Sequence, residues 1–184
     1  IMNQLAIKAL EEGMNGLIIE ITESLDPAVL LSGLNLETTA VSFEIQAEGY
    51  DFAFKLAEYF KTQSILSKSL KGSVDIKLFD NLLTQGILNE SDLDFQAKLI
   101  DLFQDYPEFR TIMVSGKAYL DAGSNQVQEI AYTLNSMVYL LDKMAQRNID
   151  QNSFFANLTF SMGISSDYFI EIAKLRTFIS LVKQ

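Results

Sequence analysis

Few residues in this sequence are equipped for chemistry. It contains no histidine and no cysteine. That removes the commonest general base near neutral pH, the usual zinc ligand, any thiolate nucleophile and any disulfide. What remains near the C-terminal ends of apolar, strand-like runs is Glu20, Glu44, Asp75, Lys117 and Ser161. Three carboxylates and an amine allow acid–base work, an oxygen-only Mg²⁺ or Ca²⁺ site on Glu20, Glu44 and Asp75, or a Schiff base on Lys117. No spacing among them matches a known cation loop, and solvated loop edges use the same residue types. Phosphate loops are absent: Lys71-Gly72-Ser73 lacks the upstream glycine, and Gly13-Met14-Asn15-Gly16 precedes a strand rather than a helix. Phe52, Phe54, Tyr59 and Phe60 share helical spacing, which points to core packing rather than base stacking. Glu171 and Lys174 stand three apart, near Arg176, and predict a surface ion pair on a helix.

The element that would position most of these groups runs over 111–144. Ile112, Met113 and Val114 form a short apolar run of the kind buried on both faces of a sheet, ending at Ser115-Gly116. A polar turn, DAGSNQ, leads into the longest helical pattern of the chain. Asn125 is its predicted N-cap, with Gln128 completing a capping box. Val127, Ile130, Ala131, Leu134, Val138, Leu141 and Met144 recur at three- and four-residue steps, so they share one face. Such a face ordinarily meets the core. Ligands in strand–helix units sit at the strand's C-terminal end, here beside Lys117, Ala118, Tyr119 and Asp121.

The other predicted strands cover 17–21, 39–45, 73–76 and 158–164. Predicted helices cover 2–12, with Ile1, Leu5 and Ala9 on one face and Gly13 closing it, and a short stretch from Asp26-Pro27 to Gly33. Further helices cover 50–61, with Phe54, Leu56, Ala57 and Phe60 inward, the stretch through Phe79 to Gly86, and 92–103. A connector is expected over 148–155. A last helix over 167–182 would turn Phe169, Ile172, Ala173, Phe178 and Val182 one way and Glu171 and Lys174 another. Alternating strands and helices without hairpin signals predict an α/β fold with a parallel sheet. Five strands cannot close an eight-stranded barrel. The alternatives are an open sheet or about five βα units of a (β/α)8 TIM barrel.

Hydrophobic residues make up 48% of the 184 residues, and 14 basic against 24 acidic side chains leave a net charge of −10. That balance argues against non-specific nucleic-acid binding and anionic membranes. No apolar run approaches the ~18 residues of a membrane span, and no signal peptide opens the chain, so a cytoplasmic protein is expected. The sequence starts inside a helical pattern at Ile1 and stops directly after another at Gln184. It is expected to be a fragment of a longer polypeptide, and its unpaired edge strands make self-association a hazard.

Two stretches resemble the adenosylcobalamin-dependent methylmalonyl-CoA mutase family. SGKAYLDAGSNQVQEIAYTLNSMVYLL resembles that family's SGYH…EAGA…QE segment, and LTFSMGISSDYFIEIAKLR resembles its FF.EIAKLR segment. The earlier LEEGMNGLIIEI is similar to a family strand. The resemblance implies a (β/α)8 barrel with CoA threading its axis, and a separate cobalamin domain that lies outside residues 1–184. It also implies radical interconversion of methylmalonyl-CoA and succinyl-CoA. Some members pair a catalytic large subunit with a homologous small subunit that does no chemistry. Here the family's substrate-contacting histidine corresponds to Ala118, and Lys117 replaces its tyrosine. A methyl group cannot donate to a thioester carbonyl. Gly72 to Lys77 corresponds to a glutamine-bearing segment, with Asp75 near the glutamine's place. The family's carboxylate-pairing arginine corresponds to Gln85. No catalytic, cofactor-binding or metal-binding residue is carried over. The expectation is therefore a barrel fragment of the non-catalytic small subunit of an isomerase, partnered by the large subunit. Rival readings are an independent barrel enzyme using Lys117 with Glu44 or Asp75, and an acidic interaction module.

Overall fold

A computed structural model describes residues 2–63 and 67–183. Ile1 and Gln184 lie outside the described residues, so the face assigned to Ile1 is not placed. Strands β1 (Gly16–Ile21), β2 (Ala40–Ile45), β3 (Gly72–Asp75) and β4 (Phe109–Arg110) pair in that order, all parallel. After Thr111 the chain resumes as β5 (Ile112–Ser115), which pairs in parallel with β6 (Leu158–Ser161). Thr111 interrupts what is otherwise one strand. It is fully buried and bound from the side: Gln96 Nε2 donates to its carbonyl at 2.6 Å, and its hydroxyl donates to Asn157 Oδ1 at 3.1 Å.

Spatial order therefore follows chain order, with no reversal of the kind that defines a doubly wound sheet. The chain is part of a (β/α)8 barrel, with parallel strands at five successive positions. The helices are α1 (Met2–Glu11), α2 (Pro27–Leu30), α3 (Tyr50–Thr62), α4 (Leu78–Gln85), α5 (Glu90–Leu102), α6 (Gly116–Asp121), α7 (Gln126–Ala145), α8 (Gln151–Asn157) and α9 (Tyr168–Val182). One sheet face carries Val41, Phe43, Ile45, Val74 and Ile76, all buried with Phe52, Leu56 and Phe60 of α3 and Leu93 and Leu99 of α5. Phe60 meets Phe103, Tyr106 and Phe109 at centroid distances of 6.1, 5.7 and 5.4 Å. The opposite face is hydroxylic and acidic. Glu20, Glu44 and Asp75 lie in register across three strands, and Ser73 Oγ donates to Ser42 Oγ at 3.0 Å.

Local signals were read correctly where they were local. Asp26 and Asp167 cap α2 and α9, and Asn125 and Gln128 form the full capping box of α7, whereas the Asp150 cap of α8 was not expected. Two expected loops are helical instead. The stretch after β5 coils into α6 because Ser115 Oγ accepts from Ala118 N at 3.2 Å, and the 148–155 connector contains most of α8, anchored by buried Phe154. The fifth strand ends at Ser161, not at residue 164.

The larger corrections concern which way helices face. In α3 the buried set is Phe52, Ala53, Leu56, Ala57 and Phe60, while Phe54 is 42% exposed. In α7 the buried side is Glu129, Thr133, Ser136, Leu140 and Met144; Val127, at the head of the apolar stripe, is 77% exposed. In α9 Glu171, Lys174 and Phe178 are buried, while Phe169 is 80% exposed. The cause on α7 is close approach. A Cβ at Gly116 would lie 2.4 Å from Thr133 Oγ1, so α6 leaves room for a threonine there and not for a leucine. The apolar residues Val127, Ile130, Ala131 and Leu134 instead line an outward groove of about 470 Å³, shared with Ile170, Ala173, Thr177 and Leu181 of α9.

Candidate functional site at the strand C-termini

In parallel barrels the C-terminal ends of the strands carry the chemistry. Of the polar groups predicted there, Glu20, Glu44 and Asp75 stand at the strand ends, each engaged with a neighbour. Glu20 Oε1 accepts from Gln46 Nε2 at 2.8 Å, and Glu44 Oε2 pairs with Lys77 Nζ at 2.7 Å. Asp75 Oδ1 accepts from the Lys77 backbone N–H at 2.8 Å. Burial pushes the Asp75 carboxyl up to about 6, a shift moderated by that N–H and by the Lys77 charge. Burial works against the Lys77 ammonium, but its bond to Glu44 and the surrounding carboxylates outweigh it and raise its pKa. Lys77 reaches this position from a left-handed backbone, φ 57, just before α4. Among the described residues no group of three or more carboxylates is placed to hold a metal ion, so Glu20, Glu44 and Asp75 do not gather as a cation site.

Ser115 and Ser161 are in register at the ends of β5 and β6. Ala118 is buried in the first turn of α6. Lys117, one residue before it, points out and pairs with Asp121 of the same helix, both side chains more than half exposed. An exposed intrahelical pair of this type contributes at most about 1 kcal/mol. Lys117→Met should leave stability within about 0.5 kcal/mol of the parent in urea unfolding. Borohydride in the presence of a carbonyl compound should trap no adduct selectively at Lys117. Gln85 is the last residue of α4 and exposed. It stands a helix length, roughly 12 Å, from the strand end where α4 begins.

The most densely bonded polar group near this rim was not foreseen. Glu171 and Lys174, expected on the surface, are buried, and the reason is a third residue, Glu129 on α7. Lys174 Nζ lies 2.8 Å from Glu129 Oε2 and 2.5 Å from Glu171 Oε2, with the Lys174 and Glu129 side chains 1% and 0% exposed. Glu171 Oε1 also accepts from Ser165 Oγ at 2.7 Å. Burial opposes the charge on Glu171, but bonds from Lys174, Ser165 and Gln126 hold its carboxyl at about 2. Burial likewise opposes the Lys174 charge, and the two glutamates more than offset it. The available signal was the polar set Glu129, Thr133 and Ser136, itself spaced as one helical face.

A parallel βα barrel with a polar rim at its strand C-termini is the architecture of barrel enzymes and of chains derived from them. The sequence matches the methylmalonyl-CoA mutase family over residues 6–183, and the chain belongs to that family. It is 27% identical over 179 residues to the methylmalonyl-CoA mutase small subunit of Porphyromonas gingivalis, covering 95% of this chain and 29% of that protein. It is 26% identical over 168 residues to a probable methylmalonyl-CoA mutase large subunit of Mycobacterium tuberculosis, covering 89% of this chain and 22% of the relative. The mitochondrial methylmalonyl-CoA mutase of Mus musculus is 24% identical over the same length, again 89% and 22%. The chain thus spans less than a third of the length of these curated relatives. Among the described residues no helix is long and apolar enough to cross a membrane.

Proposed function

We propose that this chain is barrel sequence from a non-catalytic small subunit of methylmalonyl-CoA mutase, and that its role is to support a catalytic large subunit in a heterodimer. The observation that carries this reading is Ala118. It occupies the first turn of α6 beside Ser115, where the resemblance puts the family's thioester-contacting histidine. Its methyl supplies no donor, and the neighbouring charges are neutralised in pairs: Glu44 with Lys77, and Lys117 with Asp121. An oxyanion developing there would find no preorganised partner among these groups. With 24 acidic side chains against 14 basic, the chain is also a poor host for a polyanionic CoA ester.

In this reading adenosylcobalamin belongs to the holoenzyme and is bound by a domain outside residues 1–184. The donor set here does not fit it, because the chain has neither an imidazole nor a thiolate to offer cobalt. The outward apolar faces of α7 and α9 support a role in association. Val138 is half exposed, and Leu134 lines the groove between the two helices. Contiguous apolar surface of this sort marks an interaction site.

The test is a mixing experiment with a histidine-containing mutase large subunit. The chain should co-elute with it, and Leu134→Glu/Val138→Glu should lower the co-eluting fraction at least tenfold. Titration of the chain alone with methylmalonyl-CoA or adenosylcobalamin should give no binding at micromolar concentrations. Turnover by the chain alone would overturn the proposal, and so would failure to associate with the large subunit.

A further inference from the structure

A lysine ammonium buried without partners is among the costliest groups a core can hold. Lys174 offsets that cost with two hydrogen bonds and two opposite charges. Its ammonium donates to Glu129 Oε2 at 2.8 Å and to the Gly163 carbonyl at 2.6 Å, and Glu171 Oε2 lies 2.5 Å away as a second counter-charge. The second oxygen of Glu129 accepts the Gly163 N–H at 2.7 Å. Both backbone groups of Gly163 are therefore held by one buried ion pair.

Gly163 lies two residues beyond the end of β6, on the strand-C-terminal rim. Its surroundings leave no slack. A Cβ there would sit 2.3 Å from Leu120 Cδ2 of α6, and Met162 Sδ closes on Gly116 at the start of the same helix. Ser165, further along the loop, donates to Glu171 at 2.7 Å. These tethers of loop 162–165 end on α6, α7 and α9, and α6 is the helix that carries Ala118.

We propose that Glu129, Lys174 and Glu171 form a clamp that fixes loop 162–165 as a rigid rim over the Ala118 helix, with Lys174 as its positioning residue. Apolar packing could fill the same volume and often stabilises more, but it cannot grip the N–H and C=O of a glycine, which has no side chain to pack. The β6–α9 loop is thus a preformed wall of the barrel mouth and not a lid. This assignment goes beyond the small-subunit proposal and stands on the loop geometry by itself.

The experiment is residue-resolved amide hydrogen exchange on the ¹⁵N-labelled chain, read at Gly163 and, as an internal standard, at Phe43 in β2. Lys174→Met should accelerate exchange at Gly163 at least 100-fold beyond any change at Phe43, and Lys174→Arg should recover at least tenfold of it. Glu129→Gln, nearly isosteric and milder, serves where Lys174→Met does not fold, with an expected selective acceleration of tenfold or more. Exchange at Gly163 that moves in step with Phe43 in the variant that folds would overturn the clamp. It would leave a cluster that stabilises the whole domain and positions nothing. A failed large-subunit pull-down with this exchange pattern intact would count against the proposed function alone.

Discussion

Gly72→Ala will not accumulate as a folded protein. Gly72 opens β3, with Val41 of β2 on one side and Phe109 of β4 on the other. Its φ of +150 is poorly accessible to a residue with a side chain. More decisively, an added Cβ would fall 1.8 Å from the Val41 carbonyl oxygen and 3.1 Å from Phe109 Cε2. The first neighbour is backbone and cannot rotate away. Relief requires β2 and β3 to part, which breaks the bond from Val41 N to Lys71 O at 3.0 Å. It also loosens the aromatic cluster around Phe109, whose ring lies 5.0 Å from that of Phe103. Losses above about 4–5 kcal/mol come from a few mechanisms, and forced backbone separation in a central strand combines overpacking with strain. That is comparable to the whole stability of many domains, about 5–15 kcal/mol. Gly86→Ala is the control. Gly86 also has a positive φ, +72, at the end of α4, but a Cβ there meets nothing within 4 Å. Its cost should be about 1–2 kcal/mol from backbone conformation alone. Circular dichroism and urea unfolding of the two variants make the comparison. A Gly72→Ala protein within about 1 kcal/mol of the parent would mean that the β2–β3 register is wrong.

Lys174→Met should lower stability by about 3–5 kcal/mol, the cost of leaving buried carboxylates without their counter-ion. Its pH dependence is the sharper signature. In the parent, Glu171 has its carboxyl at about 2, below its ordinary value. Its contribution to stability is therefore present above the unfolded carboxylate range and fades as pH falls toward 2. Lys174 is raised, so its contribution is present below the ordinary lysine range and is lost only as pH climbs through its folded value. Between those limits the cluster adds little slope. In Lys174→Met the two glutamates face each other in a buried site, and at least one must take up a proton to fold. Its folded pKa is then raised, and the variant loses stability as pH rises from 4 to 8. Taking the difference between variant and parent urea midpoints cancels Asp75, which is raised to about 6 in both and adds the same falling trend. A difference that does not change with pH would show that the two glutamates do not share a site.

Most of the local architecture was legible in the residues. Strand positions follow from short β-branched and apolar runs, and helix starts follow from Asp26, Asn125 and Asp167, because capping depends on residues two or three positions away. The side of the barrel on which Gln85 lies was not legible, since a motif correspondence carries no information on which end of a helix a residue occupies.

What the residues determined alone is the alternation of elements, their caps and the chemistry that histidine-free, cysteine-free sequence forgoes. What the tertiary structure decided is the orientation of α7 and α9. Helical periodicity tells which residues share a face, but two faces of α7 qualified, one apolar and one polar. The choice went to the polar face because Gly116 brings α6 against Thr133, and because Lys174 could be buried once Glu129, 45 residues away in sequence, supplied its counter-charge. Contacts of that range arise when the strands are in place, and no window along the chain contains both partners.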